Sequence, residues 1–584
     1  MKKSIALMAR VASVASLALG LPLVLGFAFV SVISCCNPKQ EAVRPPQMGW
    51  SSWNAYMIDI SDSIIMQQAD LMVSMGLKDA GYNFVNIDDG YFGYRDSTGR
   101  LIPHPTRFPN GLKATVEHIH SLGLKAGIYS DAGSRTCGSW YNHDPNGFGV
   151  GLYGHDAQDC EMFFNELGFE FIKIDFCGYR EIPFTAKERY TRIRQVMDSV
   201  VKKPVEFNLC RWRFPGTWAS EVADSWRISG DIRPVWSRIN YIVEKNKYLS
   251  AYAGGGRYND MDMLAVGYNE HPSPFWDEGL GMSYLEEEAH FGMWCIMSSP
   301  LLLGCALEYM PERTREIVTN PELIAIDQDP LGLQAYTVAE GVFVKDILQR
   351  RGLTRAVALY NPADTARFIE VDPVLLELEG PLQVRDLNRR VDIDSLSMTL
   401  KPHQAKILRV TGKRRLEPTV YEAEWSFLPA YNDINREIGP KYTPCPDASN
   451  GAVVTALGAS KGFAADSLIR AAGSGCEACA DAGACAEAKA LEISAIDSEG
   501  ALRAAAENTL EWREVWSERG GRYQATVSVF PAEEVPFILT VNGQALQART
   551  GVPAAITLRK GWNRVCVSSP DAALPPVDCL TLSR

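Results

Sequence analysis

Three apolar segments in the first half of this chain run into charged residues where a strand should end, and this pattern constrains the fold most tightly. The clearest is Phe171-Ile-Lys-Ile-Asp-Phe-Cys177. Residues two apart in an extended segment share a side, so Lys173 and Asp175 point together. Burying a lysine beside a carboxylate in an apolar strand is costly unless chemistry uses the pair. Phe84-Val-Asn-Ile-Asp-Asp89 and Ser225-Trp-Arg-Ile-Ser-Gly-Asp231 repeat the pattern. Several strands that each deliver charge at their C-terminal ends are what a (β/α)8 barrel enzyme requires.

The alternation around these segments supports a barrel. Candidate strands are Met48–Asn54, Asn83–Asp88, Lys125–Asp131, Phe171–Phe176, Val205–Leu209, Trp226–Gly230, Asp260–Leu264 and Ser298–Gly304, with amphipathic stretches such as Ser63–Met75, Leu112–Leu122, Ala157–Leu167 and Lys187–Val200 between them. An open doubly wound sheet would need a Gly-rich phosphate turn after its first strand, and Gly49-Trp-Ser-Ser-Trp-Asn54 is not one. The fold class expected is α/β: a TIM barrel over 45–330, a small antiparallel β domain over 331–412, and a β-sandwich over 420–584. Short alternating strands (Gly341–Ile347, Arg355–Tyr360, Leu382–Asp386, Ala405–Val410) mark the second, and Gly412-Lys-Arg-Arg415 reads as a polar linker. Arg522–Phe530, Phe537–Val541, Ala555–Leu558 and Asn563–Val567 mark the third, with Asn542-Gly543 as a hairpin turn.

A formal charge of −12 without a basic stripe argues against a nucleic-acid partner. Lys2 and Lys3 precede an apolar run from about Val11 to Ile33, closing at Val32-Ile-Ser-Cys-Cys36. This reads as a lipoprotein signal over 1–36, with Cys35 acylated (or Cys36) and an uncleaved anchor helix as the alternative. The protein is then exported and held at a membrane through that anchor alone, in the periplasm or on the cell surface. Export permits disulfides. None of the 14 cysteines shows zinc spacing with histidine, and Cys476, Cys479 and Cys485 fall in an Ala-rich tract, Ala471–Ala490, read as a surface insertion.

Two carboxylates flanking a glycosidic bond are the minimum for its hydrolysis. Asp175 and Asp231 are the natural pair, each expected to end a barrel strand. Lys173 should help to keep Asp175 ionised as a nucleophile, and Arg227 is placed to bind hydroxyls. Asp88 and Asp89 suit vicinal hydroxyls of a hexose where the chain turns. No histidine joins them to make a metal site, and no cofactor is expected. Trp50, Trp53 and Trp212 offer flat apolar faces for sugar C–H surfaces.

The ordered motifs Met48-Gly-Trp-Ser-Ser-Trp-Asn54, Asn86-Ile-Asp-Asp-Gly90, Tyr129-Ser-Asp-Ala-Gly133, Lys173-Ile-Asp-Phe-Cys177, Trp226-Arg-Ile-Ser-Gly-Asp231 and Asn259-Asp-Met-Asp-Met-Leu264 resemble those of glycoside hydrolase family 27, the α-galactosidases and α-N-acetylgalactosaminidases. His290-Phe-Gly-Met-Trp294 through Gly304, and Ile324 to Gly332, extend the likeness to roughly Met48–Val410. The resemblance implies a retaining double displacement, with Asp175 as nucleophile and Asp231 as acid/base. It implies that Asp88 and Asp89 hold O4 and O6, that Lys173 and Arg227 bind hydroxyls, and that Trp53, Tyr129, Cys137 and Met263 line the pocket. It also implies a Cys137–Cys177 disulfide at the rim. The partner is then a galactose-containing oligosaccharide or glycan.

Departures from the family pattern bear on specificity. Gly90-Tyr91 stands where the family has Cys-Trp, and Cys210 lacks its usual partner because Ala223 is there. Arg211 occupies the position facing the C2 substituent, where its bulk should crowd an acetamido group; donation to a free 2-hydroxyl, or a side chain turned away entirely, are the alternatives. Ser139–His155 is an insertion that should reshape the rim. Competing readings are a β-L-arabinopyranosidase or α-N-acetylgalactosaminidase of the same family, or a catalytically dead glycan-binding surface protein; retention of Asp175 and Asp231 speaks against the last. The terminal part resembles carbohydrate-binding β-sandwich modules at Tyr421-Glu-Ala-Glu424, Val541-Asn-Gly543, Gly561-Trp-Asn563 and Asp578. That resemblance offers a structural calcium near Glu422 and Glu424, with a surface strand carrying two acids as the equal alternative.

Overall fold

The computed structural model describes residues 43–268, 281–348, 352–433, 439–458, 509–569 and 572–584. The N-terminal apolar run, Cys35, Cys36 and the Ala471–Ala490 tract with its three cysteines lie outside the described residues. Eight parallel strands follow in chain order: β1 (Met48–Ser51), β2 (Phe84–Ile87), β3 (Lys125–Asp131), β4 (Phe171–Asp175), β5 (Glu206–Leu209), β6 (Ser225–Arg227), β7 (Tyr258–Asp260) and β8 (Leu301–Leu303). Each pairs with the next from β1 to β7, and β8 lies against β1. A parallel bridge from Leu264 to Leu303 joins the two ends of the sheet. The result is a TIM-like barrel. Its strands are almost wholly buried, as parallel strands must be when helices cover their outer faces.

All eight expected strands occur, but several are shorter than the pattern suggested, and the seventh, expected over Asp260–Leu264, lies earlier, at Tyr258–Asp260. The first stops at Ser51 because a short helix, Trp53–Tyr56, begins there. The sixth ends at Arg227 rather than Gly230, so Asp231 sits four residues beyond the strand, on a loop. The seventh ends at Asp260 because Asp262 takes φ 80°, which no strand sustains. Register then sets the inner faces: Tyr129 pairs with Lys173, Lys173 with Asn208, and Arg227 with Asp260.

The helices carry their own start signals. Ser61 accepts from the Ile64 amide ahead of Asp62–Ser74, and Thr185 with Glu188 forms a capping box on Ala186–Val200. A second capping box, Ser283 with Glu286, starts Tyr284–Ile296. This last helix is buried from Ala289 onward, because it lies between the barrel and the following sheet. Its Gly292 has no alternative: a Cβ there would meet Ile407 Cγ1 at 2.9 Å.

The antiparallel sheet has six strands, led by Val342–Asp346, Thr354–Asn361 and Gln404–Thr411. The stretch read as a polar linker is not free chain. Arg414–Arg415 pairs with Leu378–Glu379, and Arg415 is ion-paired with Asp346 and Glu377. Two further antiparallel sheets form a sandwich around Trp512, Val527, Leu539, Val565 and Leu580. Asn542 and Gly543 both take left-handed φ in its hairpin between Pro536–Val541 and Gln544–Arg549. The sandwich packs on both earlier parts. Tyr431 stacks on Phe214 at 5.5 Å, the Tyr442 hydroxyl lies 2.8 Å from that of Tyr252, and Trp425 Nε1 donates to the Thr337 carbonyl at 2.6 Å. Among the described residues, no helix is long and apolar enough to cross a membrane.

Candidate functional site

The C-terminal ends of the barrel strands converge on one cavity, lined by Asp88, Tyr129, Lys173, Arg227, Asp262 and Met263 among others. Lys173 reaches inward from the middle of β4. Its Nζ lies 3.1 Å from Asp88 Oδ2 and 3.8 Å from Asp175 Oδ2. Burial works against the lysine's charge, but Asp175 and Asp88 outweigh it and raise its pKa above the ordinary value. One ammonium therefore bridges the acids ending β2 and β4.

Asp175 is buried at the last position of β4, and its Oδ1 has no hydrogen-bond partner. Its Oδ2 lies 3.3 Å from Cys137 Sγ. Burial raises its pKa, and Lys173 only partly opposes that. Lys173 thus favours the ionised form of this acid, while burial works against it.

Asp231 is set differently. Its side chain is 55% exposed, and its Oδ1 lies 2.9 Å from Arg227 Nη2. The same nitrogen lies 2.7 Å from Asp262 Oδ2, which also accepts from the Ile232 amide at 2.8 Å. Arg227, expected to bind hydroxyls, is therefore first a clamp between two acids. Burial opposes its charge, yet Asp262 holds its pKa above the usual range. Burial pushes Asp262 up to about 6 even against that guanidinium. The two candidate catalytic acids occupy contrasting surroundings, one dry with an unpaired oxygen and one open to solvent. Asp231 is among the charges that raise the pKa of Asp175.

The remaining expected residues fall close by. Asp88 accepts from Ser51 Oγ and from the Asp89 amide. Asp89 turns to the backbone, accepting from Gly90 N at 2.8 Å and Gly138 N at 2.6 Å. Tyr129 is buried, and its hydroxyl accepts from the Cys137 amide. Trp53 and Trp212 are half-buried, Trp212 with φ 56°. Arg211 is buried, with its guanidinium 5.2 Å over the Phe176 ring. Cys137 and Cys177 form a disulfide. Cys210 is a free, buried thiol within 3.7 Å of Arg227 Nη1. Beside Gly90, where the family has its second disulfide, the Tyr91 hydroxyl donates to the Tyr129 carbonyl at 2.9 Å.

Of the acids inside quoted motifs that received no role from sequence, two tie together the surroundings of the site. Asp262 is one. Asp131 is the other: it accepts from the amides of Gly133, Cys177 and Gly178, tying the loop after β3 to the loop after β4. Burial pushes it up to about 8. The spacing of Asp131, two after Tyr129 at a strand end, was the available signal.

Comparisons with known proteins bear on the family and fold. Residues 45–329 match the family model described as alpha galactosidase A. An alpha-galactosidase of Oryza sativa subsp. japonica is 36% identical over 380 residues, covering 63% of this chain and 85% of the rice protein. Alpha-galactosidase A of Cellvibrio japonicus is 36% identical over 373 residues, covering 61% and 85%. Among solved structures, alpha-galactosidase I from Mortierella vinacea superposes with a TM-score of 0.56 at 28% identity, covering 65% of this chain and all of that one.

Proposed function

The chain belongs to the alpha galactosidase A family, glycoside hydrolase family 27, and from that membership we propose a retaining exo-α-galactosidase that removes terminal α-linked D-galactose from oligosaccharides or glycans. The observation that carries the reading is the contrast between the two acids. Asp175 Oδ1 is buried and unpartnered, and Asp231 is exposed on the loop after β6, held by Arg227.

Asp175 acts as nucleophile. Binding of the sugar brings hydroxyls to Asp88 and Lys173, and Lys173 remains the cation beside Asp175. Asp175 Oδ1 attacks the anomeric carbon while Asp231 gives its proton to the departing oxygen. Asp231, now a carboxylate, takes a proton from water, which displaces Asp175 from the glycosyl-enzyme. Net stereochemistry at the anomeric carbon is retained. Asp88 and Asp89 select O4 and O6. Tyr129, Met263, Trp53 and Trp212 wall the ring, and Arg211 restricts the space at C2. The reading is tested with p-nitrophenyl α-D-galactopyranoside, α-N-acetylgalactosaminide and β-L-arabinopyranoside. The first is expected to be turned over fastest. Preference for the arabinoside would assign the site to a sugar without the C6 hydroxymethyl, and no turnover of any would leave a binding protein.

Two further readings belong to the rest of the chain. The N-terminal run is a lipoprotein signal with Cys35 as the acylated residue, so Cys35→Ala should release the protein from membranes. We further propose that Glu422 and Glu424 would help to hold a structural calcium in the sandwich. Glu422 Oε2, Glu424 Oε2 and Asn450 Oδ1 are buried acceptors without a hydrogen-bond partner. Asp578 stands beside them, accepting from the Ser449 amide. Burial pushes Glu422 to about 7 and Glu424 to about 9. Oxygen-only ligands of this kind suit a hard dication, which would neutralise the two glutamates and satisfy the unpaired oxygens.

A further inference from the structure

We propose that the turn outside the Cys137–Cys177 disulfide, centred on Trp140, is a subsite for the first sugar of the leaving group; this rests on the galactosidase reading. The inner side of that disulfide touches the reacting carboxylate, Cys137 Sγ lying 3.3 Å from Asp175 Oδ2. Its outer side opens the helix Cys137–Tyr141. Residues three and four apart share a helix face, so Cys137, Trp140 and Tyr141 point together, with Trp140 about 4.5 Å further along the axis. Trp140 is 38% exposed, Tyr141 64% and Phe148 54%.

This aromatic surface is interleaved with guanidinium groups. Arg135 lies 4.0 Å from the Trp140 ring centre and 5.6 Å from that of Phe148. Arg180, three residues after the other half-cystine, lies 5.5 Å from Trp140. The backbone holds the cluster in place: Arg135 pairs with Phe148 as a β-bridge, and Thr136 N donates to the Gly147 carbonyl at 2.9 Å. Arg135 and Arg180 lie over the Trp140 ring, and Arg135 is paired with Glu181; the exposed remainder of Trp140 with Tyr141, Phe148 and these planar donors matches a pyranose, which presents C–H bonds on its faces and hydroxyls at its edge. A protein partner would favour a continuous apolar core instead. The contact between Cys137 and Asp175 names the occupant, because a leaving group must depart past the rim that touches Asp175.

The test compares two galactosides that differ only in what departs. Raffinose presents a sugar to the rim, whereas α-D-galactopyranosyl fluoride presents one atom. For Trp140→Ala, kcat/KM on raffinose should fall about tenfold, the loss of one good stacking contact. The fluoride should change less than about twofold, and Trp140→Phe should recover most of the raffinose rate. Equal losses on both substrates, or none on raffinose, would overturn the subsite. A wild-type oligomer that Trp140→Ala dissociates in sedimentation would overturn it too, giving the patch to a second copy of the chain. Wild-type protein that hydrolyses neither compound would instead overturn the galactosidase reading from which the occupant follows.

Discussion

At the scale of single residues, the site is a problem in keeping charges where water is absent. Lys173 is shared by Asp88 and Asp175, and Arg227 by Asp231 and Asp262, so each cation is held between acids from different strands or loops. Asp175→Asn should cut turnover by several orders of magnitude while circular dichroism and melting stay near wild type; near-normal rates would remove Asp175 as nucleophile. The buried acids outside direct chemistry make a second prediction. Burial raises Asp89 to about 7 and Asp131 to about 8, against about 3.9 for an unfolded aspartate. Groups raised in this sense stabilise the fold fully below about pH 4, and that contribution is lost as pH rises through 7 to 8. Melting temperature should therefore decline between pH 5 and pH 8.5, and Asp131→Asn should flatten part of the decline. A rise with pH across that range would refute the account. Lys173 and Asp175 were legible in sequence because two charges two apart in an apolar strand have few structural excuses. Asp262 was not, since its importance comes from an ion pair to a strand neighbour and a left-handed backbone that no local pattern announces.

At the scale of elements, alternation of apolar strands and amphipathic helices was enough to place all eight barrel strands, because each is closed by a turn or a capped helix. Their ends were less legible. Tertiary demands stop β6 at Arg227 and β7 at Asp260, and the acids that matter then sit on loops. The linker reading of Gly412–Arg415 failed for a similar reason: a basic run that looks solvated finds Glu377, Glu379 and Asp346 across the fold. The loops after β3 and β4 are joined by the disulfide, which spans 40 residues. In the chain-entropy model such a closure is worth about 4 kcal/mol. Mild reduction should lower the melting temperature and lower kcat/KM together, since Cys137 carries the helix against Asp89 and Tyr129. Full activity in the reduced protein would show that Asp131, through its three amides, holds both loops unaided.

At the scale of the whole molecule, the three parts meet at a few shared carbonyls and rings. The Thr337 carbonyl of the antiparallel sheet accepts from both Trp425 and Asn450, the second of which also bonds Glu424. Calcium at that cluster would tie the sandwich to the sheet, so EGTA should lower the melting temperature of the full-length protein by a few degrees, with recovery on adding calcium but not magnesium. An unchanged melt would remove the cation. The helix Tyr284–Ile296 has a larger consequence. With Gly292 pressed on Ile407, one of its faces belongs to the barrel and the other to strands formed after residue 340. A ribosome that has released only the first 330 residues has therefore made a cylinder in which the helix Tyr284–Ile296 is still wet on one side. Early termination there should yield aggregates rather than a smaller working enzyme, and any natural shortening of this gene must spare the sheet.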